Sequence, residues 1–384
     1  MLQLLSDSLT RVWGPFRLLS SHSFLLALGA VSAALLTAIL LPRLWHRLPH
    51  DHGKAILKDM GGMASKGKPT GGGFYVTLLT LPSLLLFMPM RPSDLAVILC
   101  LYLSMLFGYL DDRALVPWGE LKKGLLDVLV SLGAAAALYW GYAEGTGDWS
   151  AIKTWLPFTH GIVSMPWWVF IPTGGFMLWF ITNATNCSDG VDGLAGTLTL
   201  VTLLALGGLL YSVAANQVMS NHLLAQIHSD IAEPALDTVL GATHARVAAR
   251  WSVALFIVGG AVSGYLWWNA EPSKILMGDA GSRFLGLLVG VGVLASGNPL
   301  LVLAVAPVVL VNGGGGLAKL VLLRVAKKVG FQIGDDALIK RVRFPLHDHC
   351  KKNLGWSNAQ VLMRFTLLQA FLTPFLLILF IKVR

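Results

Sequence analysis

The stretch "NATNCSDGVDGLAG" at residues 183–196 separates two long apolar runs and places a polar or acidic side chain at every third position. The run before it covers residues 166–182, and the run after it covers residues 194–214. A helix needs about 17–25 apolar residues to cross a bilayer, and both runs reach that length. The sequence therefore predicts two membrane-spanning helices joined by a short polar connection.

The same alternation of apolar runs and polar connections extends over the whole chain. Its 384 residues are 55% hydrophobic and 13% charged, whereas a soluble domain has about 25% charged residues. Apolar runs lie at residues 23–41, 71–90, 95–110, 124–142, 166–182, 194–214, 251–268, 284–294, 300–323 and 361–381. We predict an all-α, polytopic integral membrane helical bundle with about ten transmembrane helices. No polar stretch is long enough for an independent core, so residues 1–384 are predicted to form a single transmembrane domain.

The distribution of basic residues predicts how this bundle is oriented. The formal net charge is +9, and most of the 29 Lys and Arg residues lie in connections that share one face if the first segment starts outside. The positive-inside rule makes that face cytoplasmic, and it accounts for the charge without a nucleic-acid partner. The first apolar run lacks a small-residue cleavage site, so we interpret it as a retained helix.

Cysteines, histidines and glycine runs give weaker signals. The 3 cysteines form no disulfide framework and no paired metal motif. The histidines at residues 215–250 match no metal-ligand spacing, so a solvated loop is expected there. The glycine runs at residues 71–73 and 313–316 lack the lysine of a phosphate-binding loop, and close helix packing is their expected role.

Acidic residues cluster at the predicted cytoplasmic ends of three apolar runs. "FGYLDDR" holds Asp111 and Asp112, "NATNCSDGVDG" holds Asp189 and Asp192, and "MGDAGS" holds Asp279. An ionisable group near the hydrocarbon is costly unless it is paired or used in function. A solvated helix end could explain one pair of acids, but it does not explain three sites on one face. Adjacent carboxylates suit a hard cation such as Mg²⁺, so we predict a metal-assisted active site on the cytoplasmic face.

Two further polar features belong to this face. If a helix continues through residues 183–192, successive polar side chains three residues apart differ by about 60° around the helix axis. They then form a polar ridge that turns slowly around the helix, and glycines lie beside it. "RVRFPLHDHCKKNLGWS" at residues 341–357 places His347 and His349 on either side of Asp348 in a basic loop. Phosphate handling or proton transfer is favoured over a structural role for these histidines.

Together these motifs resemble those of the polyprenyl-phosphate N-acetylhexosamine-1-phosphate transferases, and within that family those of the phospho-N-acetylmuramoyl-pentapeptide branch. The matching pieces occur in the family's order: "KGKPTGGG" (66–73), "GYLDD" (108–112), "NATNCSDGVDGLAG" (183–196), "WNAEPSKILMGDAGS" (268–282) and "PLHDHCKKNLGWSNAQVLMRF" (345–365). The acidic motifs are shared by the whole superfamily, whereas the C-terminal motif is specific to the branch.

The resemblance implies a reaction, a cofactor and a location. UDP-MurNAc-pentapeptide would react with undecaprenyl phosphate to give lipid I and UMP, with Mg²⁺ as the cofactor. This is the first membrane step of peptidoglycan synthesis. The enzyme would cross the lipid bilayer of the bacterial inner (cytoplasmic) membrane many times, act on its cytoplasmic face and form a homodimer.

The resemblance also implies roles for individual residues. Catalytic roles would belong to Asp111, Asp112, Asp279 and His347, and Asp279 would also hold the metal. Substrate-binding roles would belong to Lys66, Thr70, Lys122, Lys123, Asn186, Asp189, Asp192, Asn269, Ser282 and His349. We favour direct attack by the lipid phosphate, with Asp111 as the base, over a covalent phospho-enzyme.

Several positions depart from the family's pattern. Asp348 stands where the family has a histidine, and Ser65 and Leu115 stand where lysines are usual. These changes bear on uracil recognition and not on the reaction class. Two other functions stay open: a sister enzyme that transfers GlcNAc-1-phosphate to a polyprenyl phosphate, and an ion-coupled transporter. The C-terminal motif argues against the first. The clustering of the acids at helix ends on one side, without an internal repeat, argues against the second.

Overall fold

The computed structural model describes residues 2–51, 67–114, 116, 118–155, 162–227, 236–330 and 341–382. Lys66, one of the predicted substrate-binding residues, lies outside this part of the chain. The described residues are helical almost throughout, which confirms the predicted all-α class.

The helices follow one another with short connections. In chain order they are α1 Leu2–Val12, α2 His22–Leu44, α3 Gly73–Phe87, α4 Pro92–Arg113, α5 Glu120–Thr146, α6 Trp167–Cys187, α7 Leu194–Ile227, α8 Leu236–Asn269 and α9 Gly278–Ala295. The remaining helices are α10 Val302–Val305, α11 Pro307–Val309, a π-helical turn Leu310–Gly314, α12 Gly315–Lys328, α13 Leu346–Asn353 and α14 Asn358–Lys382. A hairpin between α5 and α6 pairs β1 Ala151–Trp155 with β2 Ile162–Pro166 in antiparallel register, Ala151 opposite Pro166.

Among the described residues, 8 helices are long and apolar enough to cross a membrane. The protein is therefore a multi-pass membrane protein. Two of the predicted spans are not among these helices: α3 has only 15 residues, and α6 contains Pro172 and two asparagines. The predicted total of about ten spans is therefore not confirmed.

Helix α9 lies at the centre of the bundle, and its residues 280–295 are all buried. Glycines let its neighbours approach closely. A Cβ at Gly73 of α3 would lie 2.1 Å from the Cα of Gly281, and a Cβ at Gly286 would lie 2.7 Å from the Cα of Thr182 on α6. Such backbone contacts are typical of helix packing in membranes. The contact of Gly73 agrees with the packing role expected for the first glycine run.

The second glycine run lies in the π-helical turn and the start of α12. A Cβ at Gly313 would lie 1.9 Å from the carbonyl oxygen of Ala184, so this turn packs directly on the last part of α6. The contact agrees with the predicted packing role. The buried Asn312 belongs to the same turn.

The predicted continuous polar ridge at residues 183–192 is wrong. Helix α6 ends at Cys187 and α7 begins at Leu194, so Asp189 and Asp192 lie in a turn. The turn ends at Gly193, whose φ is +80°. This left-handed conformation interrupts a helix, and glycine adopts it without steric cost.

The solvated loop predicted at residues 215–250 is also wrong for most of its length. Helix α7 continues to Ile227 and α8 begins at Leu236, while residues 228–235 lie outside the described part of the chain. The segment is rich in Ala and also contains Leu, and these residues favour helix even where the chain is polar.

Candidate active site at the start of α9

The first turn of α9 gathers carboxylates from two other helix ends. The backbone N–H groups of Asp279 and Ala280 each donate to the Asp112 carboxylate over 3.1 Å, and that of Gly278 donates to Asp189 Oδ2 over 3.1 Å. These N–H groups have no partner within the helix, and the helix dipole also favours negative charge there. Asp112, predicted to be catalytic, therefore uses both carboxylate oxygens to cap α9.

Two glycines with left-handed backbones make this cap possible. Gly71 and Gly278 have φ of +73° and +71°. A Cβ at Gly278 would lie 2.5 Å from Asp112 Oδ2 and 2.7 Å from the Gly71 nitrogen, so a side chain would displace the cap. Beside them, the N–H of Gly72 donates to the carbonyl of Leu276 over 2.8 Å. The backbones of the motifs "PTGGG" and "MGDAGS" thus pack against each other next to the Asp112 carboxylate.

Lys123 on α5 joins the two remaining predicted catalytic aspartates. Its Nζ lies 2.5 Å from Asp111 Oδ2 and 3.7 Å from Asp279 Oδ2. Asp111 is buried and also accepts a 2.7 Å hydrogen bond from the Trp118 N–H. The side chain of Asp279 is 27% exposed and is therefore open to a ligand. Lys123 neutralises part of the negative charge that these carboxylates would otherwise share.

A second cation contacts Asp279 from within its own helix. Arg283 lies one turn further along α9 and places an NH2 group 3.3 Å from Asp279 Oδ2. Its NH1 group lies 2.6 Å from Oδ1 of Asp127, which is on α5. Sequence reasoning assigned no site role to Arg283 or Asp127. The available signal was an acidic residue, Asp127, inside the apolar run at residues 124–142.

Lys68, to which the sequence analysis assigned no site role, contacts the turn after α6. Lys68 Nζ lies 3.3 Å from Asp192 Oδ2 and donates to Ser273 Oγ over 2.9 Å. Asp192 also accepts from the Ser273 N–H over 3.1 Å. The resemblance implies a substrate-binding role for Lys66, because it is adjacent to Ser65, which stands where the family usually has a lysine. The structure places Lys68 of the same motif on the predicted donor-binding aspartate.

Other predicted substrate-binding residues support the same turns from inside. Asn186 donates to Ser282 Oγ over 3.1 Å, and Ser282 donates to the Gly278 carbonyl over 2.9 Å. Asn269 is buried; its side chain accepts from the Gly193 N–H over 2.8 Å and donates to the Ile275 carbonyl over 2.7 Å. Asn269 thus ties the acidic turn to the segment before α9.

His347 is packed beneath the acidic turn. It is 2% exposed, and its Nε2 lies so near Gly190 that a Cβ there would come within 2.2 Å. Asn312 accepts from the His347 N–H over 2.9 Å and lies 3.2 Å from its Nδ1. Burial lowers the pKa of His347 to about 4, although the Asp348 carboxylate 3.7 Å away opposes the shift. The ring is therefore neutral near pH 7. Sequence reasoning missed Asn312, because its signal was one polar residue beside a glycine run.

Three predicted residues contribute less to this network. Lys122 is exposed, with its Nζ 3.4 Å from the centroid of the Trp118 ring. Thr70 donates its backbone N–H to the Pro49 carbonyl over 2.9 Å. His349 accepts a 3.3 Å hydrogen bond from the Arg343 N–H at the surface. These contacts tie the three residues to neighbouring loops and not to the carboxylates.

The residues present are compatible with Mg²⁺, although the described part of the chain has no group of 3 or more His, Cys, Asp or Glu arranged to hold a metal. Mg²⁺ commonly takes one or two carboxylates and completes its shell with water and substrate phosphates. Asp279 suits this use because its carboxylate is partly exposed. Asp112 is less suited, because each of its oxygens already accepts a hydrogen bond from a backbone N–H group of α9.

The fold and this site define a multi-pass membrane protein in which carboxylates from three separate segments and the cations Lys123 and Arg283 meet at the start of α9. Residues 95–297 match the model of glycosyl transferase family 4. A phospho-N-acetylmuramoyl-pentapeptide-transferase of Treponema pallidum is 41% identical over 374 residues, covering 97% of this chain and 94% of that protein. Proteins of the same name from Gemmatimonas aurantiaca and Brachyspira hyodysenteriae are 28% and 27% identical, over 95% and 88% of this chain and equal shares of their own. The chain belongs to glycosyl transferase family 4, in the group of the phospho-N-acetylmuramoyl-pentapeptide-transferases, and is a phospho-sugar transferase.

Proposed function

We propose that this protein transfers phospho-MurNAc-pentapeptide from UDP-MurNAc-pentapeptide to undecaprenyl phosphate, giving lipid I and UMP. The observation that carries the proposal is the convergence of Asp111, Lys123 and Asp279 at the start of α9, inside the range that matches the family. The name of the relatives that align over nearly the whole chain supports the choice of donor.

The chemistry requires two anions to meet. An oxygen of the lipid phosphate attacks the β-phosphorus of the donor, a new P–O bond forms, and the P–O bond to UMP breaks so that UMP leaves. Asp111 is the base that accepts the proton of the lipid phosphate, and Lys123 supplies positive charge beside it. Lys68, near Asp192, gives a second cation on the donor side. Positioning and charge neutralisation account for most of the catalysis in phosphoryl transfer.

Mg²⁺ is proposed as the cofactor, and Asp279 would hold it. The bound ion would neutralise phosphate charge and polarise a phosphate oxygen. Asp112 positions this site by capping α9, so we assign it an indirect role in catalysis. Asn186, in the last turn of α6, and Asp189 and Asp192, in the turn that follows, are proposed to face the donor, as the resemblance implies.

The setting proposed is the bacterial inner membrane, with the active site on the cytoplasmic side and the whole chain acting as one domain. The basic residues of α12 and α13, such as Lys327, Lys328, Lys351 and Lys352, support this orientation under the positive-inside rule. A homodimer is proposed from the resemblance alone. The mass of the protein–detergent complex measured by light scattering tests it.

The experiment that tests the reaction is UMP release by the purified full-length protein in detergent, with UDP-MurNAc-pentapeptide, undecaprenyl phosphate and Mg²⁺. Asp279→Asn should abolish release, because the amide keeps the shape of the side chain but loses the charge. Asp148→Asn, in an exposed turn after α5, is the matched control and should behave like the wild type. Turnover with UDP-GlcNAc alone would assign the sister reaction, and no turnover with either donor would contradict the transferase proposal.

A further inference from the structure

Four charged residues form an alternating ladder between α5 and α9. Lys123 and Asp127 lie four residues apart on α5, and Asp279 and Arg283 lie four residues apart on α9, so each pair shares one helix face. The contacts run from Lys123 to Asp279 (3.7 Å), from Asp279 to Arg283 (3.3 Å) and from Arg283 to Asp127 (2.6 Å). Asp111 extends the ladder at the Lys123 end. The proposed metal ligand therefore lies in the middle of a fixed charge network.

Arg283 is held unequally by its two carboxylates. Its contact with Asp127 is short, and the two side chains are only 6% and 2% exposed. Its contact with Asp279 is longer, and that carboxylate is 27% exposed. Electrostatic attraction is stronger where water is excluded, so Asp127 anchors the guanidinium. Because the guanidinium is planar, an anchored NH1 group fixes the direction in which NH2 reaches Asp279.

Both cations that contact Asp279 do so at the same oxygen. Lys123 Nζ and the Arg283 NH2 group approach Oδ2, at 3.7 Å and 3.3 Å. Two cations on one oxygen restrain rotation of the carboxylate. They also compete with any metal for its charge. A buried ion pair contributes little net stability compared with an apolar pair of similar volume, so stability is a weak reason for Asp127 and Arg283 to be there.

We propose that Arg283, anchored by Asp127, is a positioning residue that fixes the orientation of the Asp279 carboxylate and limits how tightly that carboxylate binds a divalent metal. This inference rests on the proposed transferase function. It gives the Asp127–Arg283 pair a functional role at Asp279, in addition to its contribution to folding.

The test compares two ion pairs of equal length and similar burial. Asp94 and Arg250 also meet at 2.6 Å with side chains 5% and 8% exposed, but Asp94 is about 26 Å along α4 from Asp111. The full-length double variants Asp127→Asn/Arg283→Gln and Asp94→Asn/Arg250→Gln are purified in detergent. Their Mn²⁺ affinity without substrate is measured by electron paramagnetic resonance, and kcat and KM are measured by UMP release.

The site pair and the control pair should behave differently. For Asp127→Asn/Arg283→Gln we expect Mn²⁺ to bind about tenfold more tightly, because a competing cation is gone, while kcat falls about tenfold because the carboxylate is no longer held. The control pair should leave both quantities at the wild-type value. Equal effects of the two double variants on Mn²⁺ affinity and kcat would make the Asp127–Arg283 pair merely structural and overturn the proposal.

Arg283→Lys provides a second test that does not depend on the double variant folding. Lysine keeps the charge but lacks the planar fork, so Mn²⁺ affinity should stay near the wild-type value while kcat falls. Wild-type kcat in this variant would contradict a role in orientation. The Mn²⁺ titration needs no donor, so a changed affinity without any UMP release from the wild type would reject the transferase reaction while supporting the control of metal affinity by Arg283.

Discussion

Lys123 and Lys122 are adjacent in sequence, but only Lys123 contacts the carboxylates of the proposed site. Lys123 lies between Asp111 and Asp279, whereas the exposed Lys122 stacks on the Trp118 ring. Both were predicted to bind substrate, and no feature of the dipeptide distinguishes them. The distinction comes from the helical phase of α5, which turns one of them towards α9.

We expect Lys123→Met to lower kcat by about 10²–10³, the cost of removing one preorganised electrostatic group from an active site. Lys122→Met should stay close to wild type because the substituted side chain is exposed. UMP release under saturating substrate measures both. Similar losses of kcat in the two variants would mean that basic charge at the start of α5 matters, and not the particular position of Lys123.

The buried His347 predicts a pH dependence of stability. Its pKa in the folded protein is about 4, below the ordinary value of 6.5, so the unfolded chain binds a proton that the folded one does not. The stability from keeping the ring neutral is present above pH 6.5 and is lost as the pH falls towards 4, up to about 3 kcal/mol.

His347→Gln should flatten the decline of the thermal unfolding midpoint between pH 6.5 and pH 4. His349→Gln, in the surface contact with Arg343, should keep the wild-type slope. Differential scanning fluorimetry in detergent measures both. An unchanged slope in His347→Gln would assign the acid sensitivity to other groups.

At the scale of elements, the start of α9 depends on how closely its neighbours approach. Asp112 caps the helix only because Gly278 and Gly71 leave room for its carboxylate. Both glycines were visible in the sequence, and a packing role was predicted for Gly71 as part of the first glycine run. Their contact with the Asp112 carboxylate was not predictable, because it requires α3, α4 and α9 to meet at one point.

We expect Gly278→Ala to reduce both stability and activity. The substitution strains a backbone with φ of +71° and places a Cβ 2.5 Å from Asp112 Oδ2. Gly355→Ala is the matched control, since Gly355 has φ of +68° but nothing within 4 Å of the added Cβ. The control should show only the conformational cost of about 1–2 kcal/mol. If both variants lower the unfolding midpoint equally, crowding at Asp112 has no measurable effect.

At the scale of the whole molecule, the site and the hairpin occupy opposite ends of the bundle. Helix α5 begins near the site at Glu120 and ends at Thr146, just before β1, so the hairpin is about 40 Å away along the helix. That distance exceeds the roughly 30 Å hydrocarbon core of a bilayer. The proposed orientation then places the hairpin on the outer side.

Single cysteines test this orientation. In a background where Cys100, Cys187 and Cys350 are replaced by serine, Ser150→Cys should react with a membrane-impermeant maleimide in intact spheroplasts. Lys352→Cys should react only after the membrane is opened. The reverse labelling pattern would place the active site outside and contradict the transferase proposal, because UDP-linked donors are cytoplasmic.

The membrane-embedded all-α class, the acids at the ends of three apolar runs and the family could all be read from the sequence alone. Apolar run length and motif order are local properties, and the bilayer turns them into helices with defined ends. The turn after α6, the capping by Asp112, the Lys68–Asp192 contact and the Asp127–Arg283 pair were decided only by the tertiary structure. Each of these depends on how closely segments far apart in the chain approach one another, and helix packing sets that approach.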